Sequence, residues 1–241
     1  MPKAQTSSKY KGKLIVIDGV DGSGKGTQTK MLADRLKAEG VHFEIIDFPQ
    51  YGQKSAGLAE EYLNGKYGKL GPYTSSIFYA VDRFDASFKI RSWLEAGKIV
   101  ISNRYVTANA GHQGGKIPEK ADRIKFFKWL EELEYGIFEI PQPDLNIILH
   151  VPARVAQKLV DKKSKDQRAY VSGKKRDLHE KDLKHLENAE KVFIELSEIY
   201  TNTKLIECAP QGKIETPEQI HAKVWATVKK LIAKAPAKSR S

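Results

Sequence analysis

The chain has 241 residues, 40% of them hydrophobic, a length that suits one domain or one domain with an insertion. Its 41 Lys and Arg against 30 Asp and Glu give a formal net charge of +11, which favours an anionic partner without separating nucleotide phosphates from nucleic acid. Cys208 is the only cysteine, which excludes a disulfide within one chain, and no uninterrupted apolar run is long enough to span a bilayer. The start, Met1 to Lys11, is polar and lacks the apolar centre of a secretory signal, so a flexible arm and a cytoplasmic location are expected.

Lys13 to Asp18 (KLIVID) is apolar and β-branched, as a buried parallel strand requires. A glycine-rich turn follows, then a helical pattern from about Lys25 to Glu39, with Gly40 where a C-terminal glycine is favoured. His42 to Phe48 is a second strand, ended by Pro49, and residues 55–64 and 73–96 read as helices. Lys98 to Ser102 is a third strand, followed by a glycine-containing loop from Asn109 to Lys116. A helix over 119–134 precedes the strand Leu145 to Val151, and helical segments near 153–162 and 178–200 flank a basic stretch. Lys204 to Cys208 is a fifth strand and 216–233 a last helix. Strands alternating with helices predict an α/β fold, a parallel five-stranded sheet with helices on both faces, with ligands beyond the carboxyl ends of the strands. One domain over 12–233 is expected, with tails at 1–11 and 234–241.

The strongest motif is Gly19-Val20-Asp21-Gly22-Ser23-Gly24-Lys25-Gly26-Thr27, between a strand and a helix, the context a P-loop needs. Backbone N–H groups turned inward and a helix N-terminus together favour a phosphate, and Lys25 supplies a mobile charge for the β- and γ-phosphates of a nucleoside triphosphate. Gly19, Gly22, Ser23, Gly24, Lys25, Gly26 and Thr27 are therefore the expected triphosphate-binding residues. The general motif places Ser or Thr directly after the Lys as a magnesium ligand. Here that place is Gly26, and Thr27 is the candidate metal ligand. The GKGT order resembles adenylate kinases and their relatives, and argues for a nucleoside monophosphate kinase.

Further along, Phe48-Pro49-Gln50-Tyr51-Gly52 follows the second strand, and Tyr79 and Arg83 share a helix face at i, i+4 spacing. That face offers an aromatic plane and a guanidinium to a base; an ion pair of Arg83 with Asp82 or Asp85 is the plainer alternative. Asn103-Arg104-Tyr105 closes the third strand. Taken in order, IVIDGVDGSGKGTQ, DFPQYGQ, FYAVDR, NRYVTAN and RDLHEKDLKHL resemble thymidylate kinases from Lys13 to about Leu231. The resemblance implies a homodimer, Mg2+, ATP as donor and dTMP as acceptor. The +11 charge leaves a non-catalytic nucleotide sensor or a nucleic-acid-binding protein as a different class, but the chain lacks the interleaved aromatic-basic strand pattern of an RNA-recognition module, so no nucleic-acid partner is expected, and no membrane partner either. The resemblance further implies that Tyr79 stacks on thymine, that Arg83 bonds a base oxygen and that Asn109 contacts the base. It implies that Arg104 grips the acceptor phosphate and that Asp21 lies near the acceptor's sugar and phosphate. Phe48, Pro49, Tyr51 and His112 complete the acceptor set. The family commonly has Asp where this chain has Asn103. A deoxynucleoside monophosphate kinase of other or broader base specificity is the alternative.

The segment after the fourth strand is strongly basic, where monophosphate kinases carry a closing lid, expected here at about 161–177. Asp21 is followed by Gly22 and not by a basic residue, so catalytic charge is expected from the lid, with Arg168 and Arg176 the candidates.

Overall fold

A computed structural model describes residues 9–162 and 183–233. The expected lid from residue 163 onward, with Arg168 and Arg176, and the tail residues 1–8 and 234–241 lie outside the described residues.

Five strands, β1 (Lys13–Asp18), β2 (Phe43–Asp47), β3 (Ile99–Asn103), β4 (Leu145–His150) and β5 (Thr203–Glu207), form one parallel sheet in the order β2-β3-β1-β4-β5. Each expected strand is present to within a residue. β1 sits centrally because its side chains are apolar on both faces: Ile15 and Ile17 join one core, and Leu14 and Val16 the other. The first core packs on α1 (Lys25–Ala38), α5 (Lys120–Glu131), α7 (Leu183–Ile199) and α8 (Pro217–Ile232), through Leu32 and Leu36, Phe126 and Phe127, Phe193, and Val224 respectively. The second core packs on α3 (Pro72–Glu95) through Ala86, Ile90 and Leu94. The remaining helices are α2 (Gly57–Leu63), α4 (Val106–Gly114) and α6 (Ala153–Lys162). The sheet therefore carries helices on both faces, as expected. The chain leaves β1 for the edge strand β2, returns to β3 beside β1, then crosses β1 to β4 and β5 on its other side, and a ligand crevice opens where the strand order reverses in this way.

Two departures from the sequence reading bear on function. The glycine-containing stretch from Asn109 to Lys116 is mostly helical and belongs to α4. Its glycines serve close packing instead of a turn: a methyl group on Gly111 would lie 2.4 Å from Cζ of Phe193, so the absent side chain is what lets α4 approach α7. The helix expected over 119–134 changes to a π-turn over Glu132–Ile137. The extra residue shifts the helical register, and Ile137, seven residues after the buried Leu130, is 65% exposed.

Candidate functional site

The P-loop emerges from β1 and ends at the N-terminus of α1. Gly19, Gly22 and Gly24 hold φ of +137°, +87° and +89°, conformations that a Cβ disfavours. Gly22 has a second reason. A Cβ there would lie 2.2 Å from the carbonyl oxygen of Ala156, because α6 packs directly on the loop. Lys25 folds back over it, and its Nζ donates to the carbonyl oxygens of Gly19 (3.0 Å) and Val20 (2.8 Å), 3.7 Å from Asp21 Oδ1. Ser23 Oγ is buried and finds no hydrogen-bond partner among the described residues. Thr27 is exposed in the first turn of α1.

A cavity of about 360 Å³ opens beside the loop. It is lined by Asp21, Gly22, Gly24, Lys25 and Gly26 from the loop and α1, and by Asp47, Phe48, Pro49 and Tyr51 after β2. Tyr79, Asp82 and Arg83 of α3, Asn103 and Arg104 of β3 and the turn after it, and Asn109 and His112 of α4 complete the main lining. The structure thus brings together every acceptor residue expected from the sequence. Gly19, Ser23 and Thr27 of the expected donor set do not line this cavity.

Arg104 is the electrostatic centre. Its Nη2 donates to Asp21 Oδ1, and its Nη1 lies 3.3 Å from His112 Nε2. Burial disfavours its charge, but Asp21 and then Asp18 raise its pKa above the usual arginine value. Burial likewise acts against the Asp21 carboxylate, yet Arg104 and Lys25 hold its pKa well below the ordinary range. Burial lowers the pKa of His112, helped by Arg104, His185 and Lys25 and opposed by Asp21, so a neutral imidazole can accept from Arg104. Arg104 has φ +67°, a left-handed backbone uncommon for a side chain of its size. Its N–H donates to Ile17 O at 3.0 Å and its carbonyl accepts from Ser102 Oγ at 2.6 Å, which fixes that turn.

Three carboxylates organise these groups; the sequence assigns no such role to Asp18 or Glu134, and offers Asp82 only as an ion-pair partner of Arg83. Asp18 is fully buried at the end of β1, where it accepts from Thr107 Oγ1 (2.7 Å) and Gly19 N–H (3.1 Å), tying α4 to the P-loop. Desolvation raises its pKa. Asp82 accepts from Gln50 N–H and Ser55 Oγ, each at 2.8 Å, which fixes the loop after the cis Phe48–Pro49 bond. Glu134, in the π-turn, pairs with Arg83 at 2.6 and 2.7 Å, so the partner of Arg83 is neither Asp82 nor Asp85. Burial alone would lower the Arg83 pKa, and Glu134 raises it instead. Glu134 was legible in principle: it stands four residues after Leu130, where the buried stripe of Phe126, Phe127 and Leu130 calls for an apolar side chain.

The donor chemistry suits a hard divalent cation such as Mg2+, which keeps several waters and takes few protein oxygens. Asn103 Oδ1 is buried, has no hydrogen-bond partner among the described residues, and belongs to a residue lining the cavity near Asp47 of the paired strand. Among the described residues no group of three or more His, Cys, Asp or Glu could hold a metal by itself.

The chain is similar to known proteins along most of its length. The thymidylate kinase family model matches residues 17–220. Thymidylate kinase of Mycobacterium tuberculosis (strain H37Rv) is 32% identical over 187 residues, covering 76% of this chain and 85% of that protein. The Schizosaccharomyces pombe thymidylate kinase is 26% identical over 189 residues, covering 78% and 82%. A solved structure of the Candida albicans thymidylate kinase shares the fold, with a TM-score of 0.69 at 20% identity over 94% of each chain. With its P-loop, its acceptor-side lining and this family match over most of its length, the chain belongs to the thymidylate kinase family.

Proposed function

We infer that the cavity between the P-loop, α3 and α4 is where this chain carries the γ-phosphoryl of ATP to dTMP. The reaction is a phosphoryl transfer: an oxygen of the dTMP phosphate bonds to the γ-phosphorus, the bond to the β,γ-bridging oxygen breaks, and dTDP and ADP leave. One observation carries the assignment. A single cavity is lined both by P-loop residues and by Tyr79, Arg83, Arg104 and Asn109.

No covalent enzyme intermediate is needed; alignment and charge stabilisation suffice. Lys25 exchanges its contacts with Gly19 and Val20 for donor phosphate oxygens. Arg104, restrained by Asp21 and His112, receives the acceptor phosphate. Tyr79 stacks on thymine, Arg83 and Asn109 hydrogen-bond to it, and Phe48, Pro49 and Tyr51 wall the nucleotide in. When Mg2+ is bound it offsets phosphate charge, and Thr27 and Asn103 are the residues proposed to serve it. Arg168 and Arg176 are proposed to deliver charge to the moving phosphoryl. The contact of Gly22 with Ala156 O supports this, because a cationic side chain cannot be accommodated at that P-loop position.

A homodimer is part of the proposal. Ile77, Val81, Phe84 and Phe88 recur at spacings of four, three and four along α3, all exposed, with Phe88 at 60%. Such an apolar stripe on one helix is suited to a second copy of the same helix. Among the described residues no helix is long and apolar enough to cross a membrane, and a cytoplasmic location is proposed with its single buried, unpaired cysteine in view.

The test is a coupled ADP-release assay with ATP and Mg2+ across all nucleoside monophosphates. The expected result is the highest kcat/KM for dTMP. Turnover of a purine monophosphate above dTMP would overturn the assignment.

A further inference from the structure

Arg83 and Asn109 are the polar residues that the preceding reading turns toward the acceptor base, and both are held by a third group. The two oxygens of Glu134 accept from Arg83 Nε (2.6 Å) and Arg83 Nη2 (2.7 Å), and Oε1 also lies 3.4 Å from Asn109 Nδ2. Asn109 Nδ2 donates in addition to Ser76 O at 3.1 Å. Arg83 and Glu134 are both essentially inaccessible, at 2% and 0% exposure. Among the described residues, Arg83 Nη1 and Asn109 Oδ1 make no hydrogen bond to protein, and both residues line the cavity. What these two residues keep for a ligand is a donor group, Arg83 Nη1, and an acceptor, Asn109 Oδ1.

We propose that Glu134 is a positioning residue that sets base selectivity, by fixing Arg83 as donor and Asn109 as acceptor. The argument is one of hydrogen-bond polarity. Thymine presents a 4-keto oxygen beside an N3–H, an acceptor beside a donor. Cytosine presents a 4-amino group beside a bare N3, the reverse order. A site that offers a donor and an acceptor in fixed order matches the first and leaves buried groups unpaired with the second. Arg83 can only donate, so its half of the code cannot invert. Asn109 could invert by turning its amide through 180°, which would present Nδ2 to the base. Glu134 and Ser76 O oppose that turn, because both are acceptors and would then face Oδ1.

A carboxylate is needed at position 134 for a reason of counting. Three N–H donors converge on it, two from Arg83 and one from Asn109. A carboxylate is acceptor-only and has oxygens for all three. An amide has one oxygen, and its NH2 would point a donor at another donor. Position 134 touches no substrate in this reading, so it acts through the two residues it holds.

The inference rests on the assignment of dTMP as acceptor, and the experiment separates the two. kcat and KM for dTMP, dUMP and dCMP are measured for the wild type, Glu134→Gln and Glu134→Asp. Each selectivity is a ratio of kcat/KM values on the same preparation, so an unfolded fraction cancels. Glu134→Asp keeps the charge but draws it back by one methylene, and provides a second variant if the Gln protein folds poorly. The expected result is a fall of at least about tenfold in the dTMP-to-dCMP ratio for Glu134→Gln, a smaller fall for Glu134→Asp, and a rise in dTMP KM exceeding the loss in kcat. The dTMP-to-dUMP ratio should hold, since both bases present the same edge. An unchanged dTMP-to-dCMP ratio in either variant, beside a selective wild type, overturns the role of Glu134. A wild type that does not prefer dTMP over dCMP overturns the base assignment beneath it.

Discussion

Replacing Gly22 by alanine probes the seating of α6 on the phosphate loop, and Gly24 provides the internal reference. The two glycines have nearly the same φ, +87° and +89°. A side chain at either therefore costs about 1–2 kcal/mol of left-handed backbone strain. They differ in what surrounds them. A Cβ on Gly24 meets nothing within 4 Å, whereas one on Gly22 would lie 2.2 Å from Ala156 O and 2.9 Å from Val160 Cγ2. The first of these is backbone and cannot swing away, so overpacking adds about 1–3 kcal/mol. Gly22→Ala should then lose roughly 2–5 kcal/mol and Gly24→Ala only the strain, about 1–2 kcal/mol. For a chain of this size each kcal/mol is worth ~2–4 °C in Tm, so the variants should melt ~2–12 °C apart. Scanning calorimetry reads the difference, and amide exchange in α6 should quicken in Gly22→Ala alone. Equal melting temperatures with equal α6 protection would mean that α6 does not bear on the loop, and the case for charge supplied from outside it would lose its steric support.

Lys25→Ala should abolish turnover with an unchanged circular dichroism spectrum, since the ammonium donates to loop carbonyls beside Asp21 and stands outside both hydrophobic cores; a near-wild-type rate would refute the donor assignment. Asn103→Asp should lower the Mg2+ concentration giving half-maximal rate, because a carboxylate replaces an amide whose Oδ1 has no hydrogen-bond partner among the described residues; an unchanged or higher requirement would show that the position does not serve the metal. His150 carries a pH signature. Its hydrogen bond to Glu190, aided by Glu207 and opposed by burial, raises its pKa from 6.5 to about 9. The folded state thus binds the proton more tightly, so this stabilisation is complete below pH 6.5 and is lost as pH rises through about 9. The Tm gap between wild type and His150→Gln should shrink over that window, and a constant gap would refute the linkage.

Most of the fold was legible because its strands are short, apolar on both faces and bounded by turn residues. Lys13–Asp18 needs no tertiary information to be read as a central strand. The P-loop was equally local, since its glycines, lysine and helix are contiguous. Asn109 to Lys116 was misread because Gly111 and Gly114 look like turn residues, and only the ring of Phe193, far along the chain, explains them. Most residues that line the cavity beyond the P-loop were named from the order of several segments, while the roles of the carboxylates that hold them were not. Asp18, Asp82 and Glu134 act on partners 89, 32 and 51 residues away in sequence. Residue spacing cannot reveal such pairings, although an acid on a buried helical stripe signals that a partner exists.

The contact between Gly111 and Phe193 also constrains how this protein can diverge. With 2.4 Å available where a Cβ would stand, neither position can change independently. A larger residue at 111 requires a smaller one at 193, and a smaller residue at 193 alone leaves a void beside His112, whose ring lies edge-on to Phe193 at 5.6 Å. Asn109 and His112 ride on the same helix as Gly111. Drift at this unobtrusive pair would therefore reach the acceptor side before any residue there mutated. Lineages that altered one member are expected to have altered the other with it, and a directed library that varies 111 and 193 together should recover active solutions that single-site libraries at either position miss.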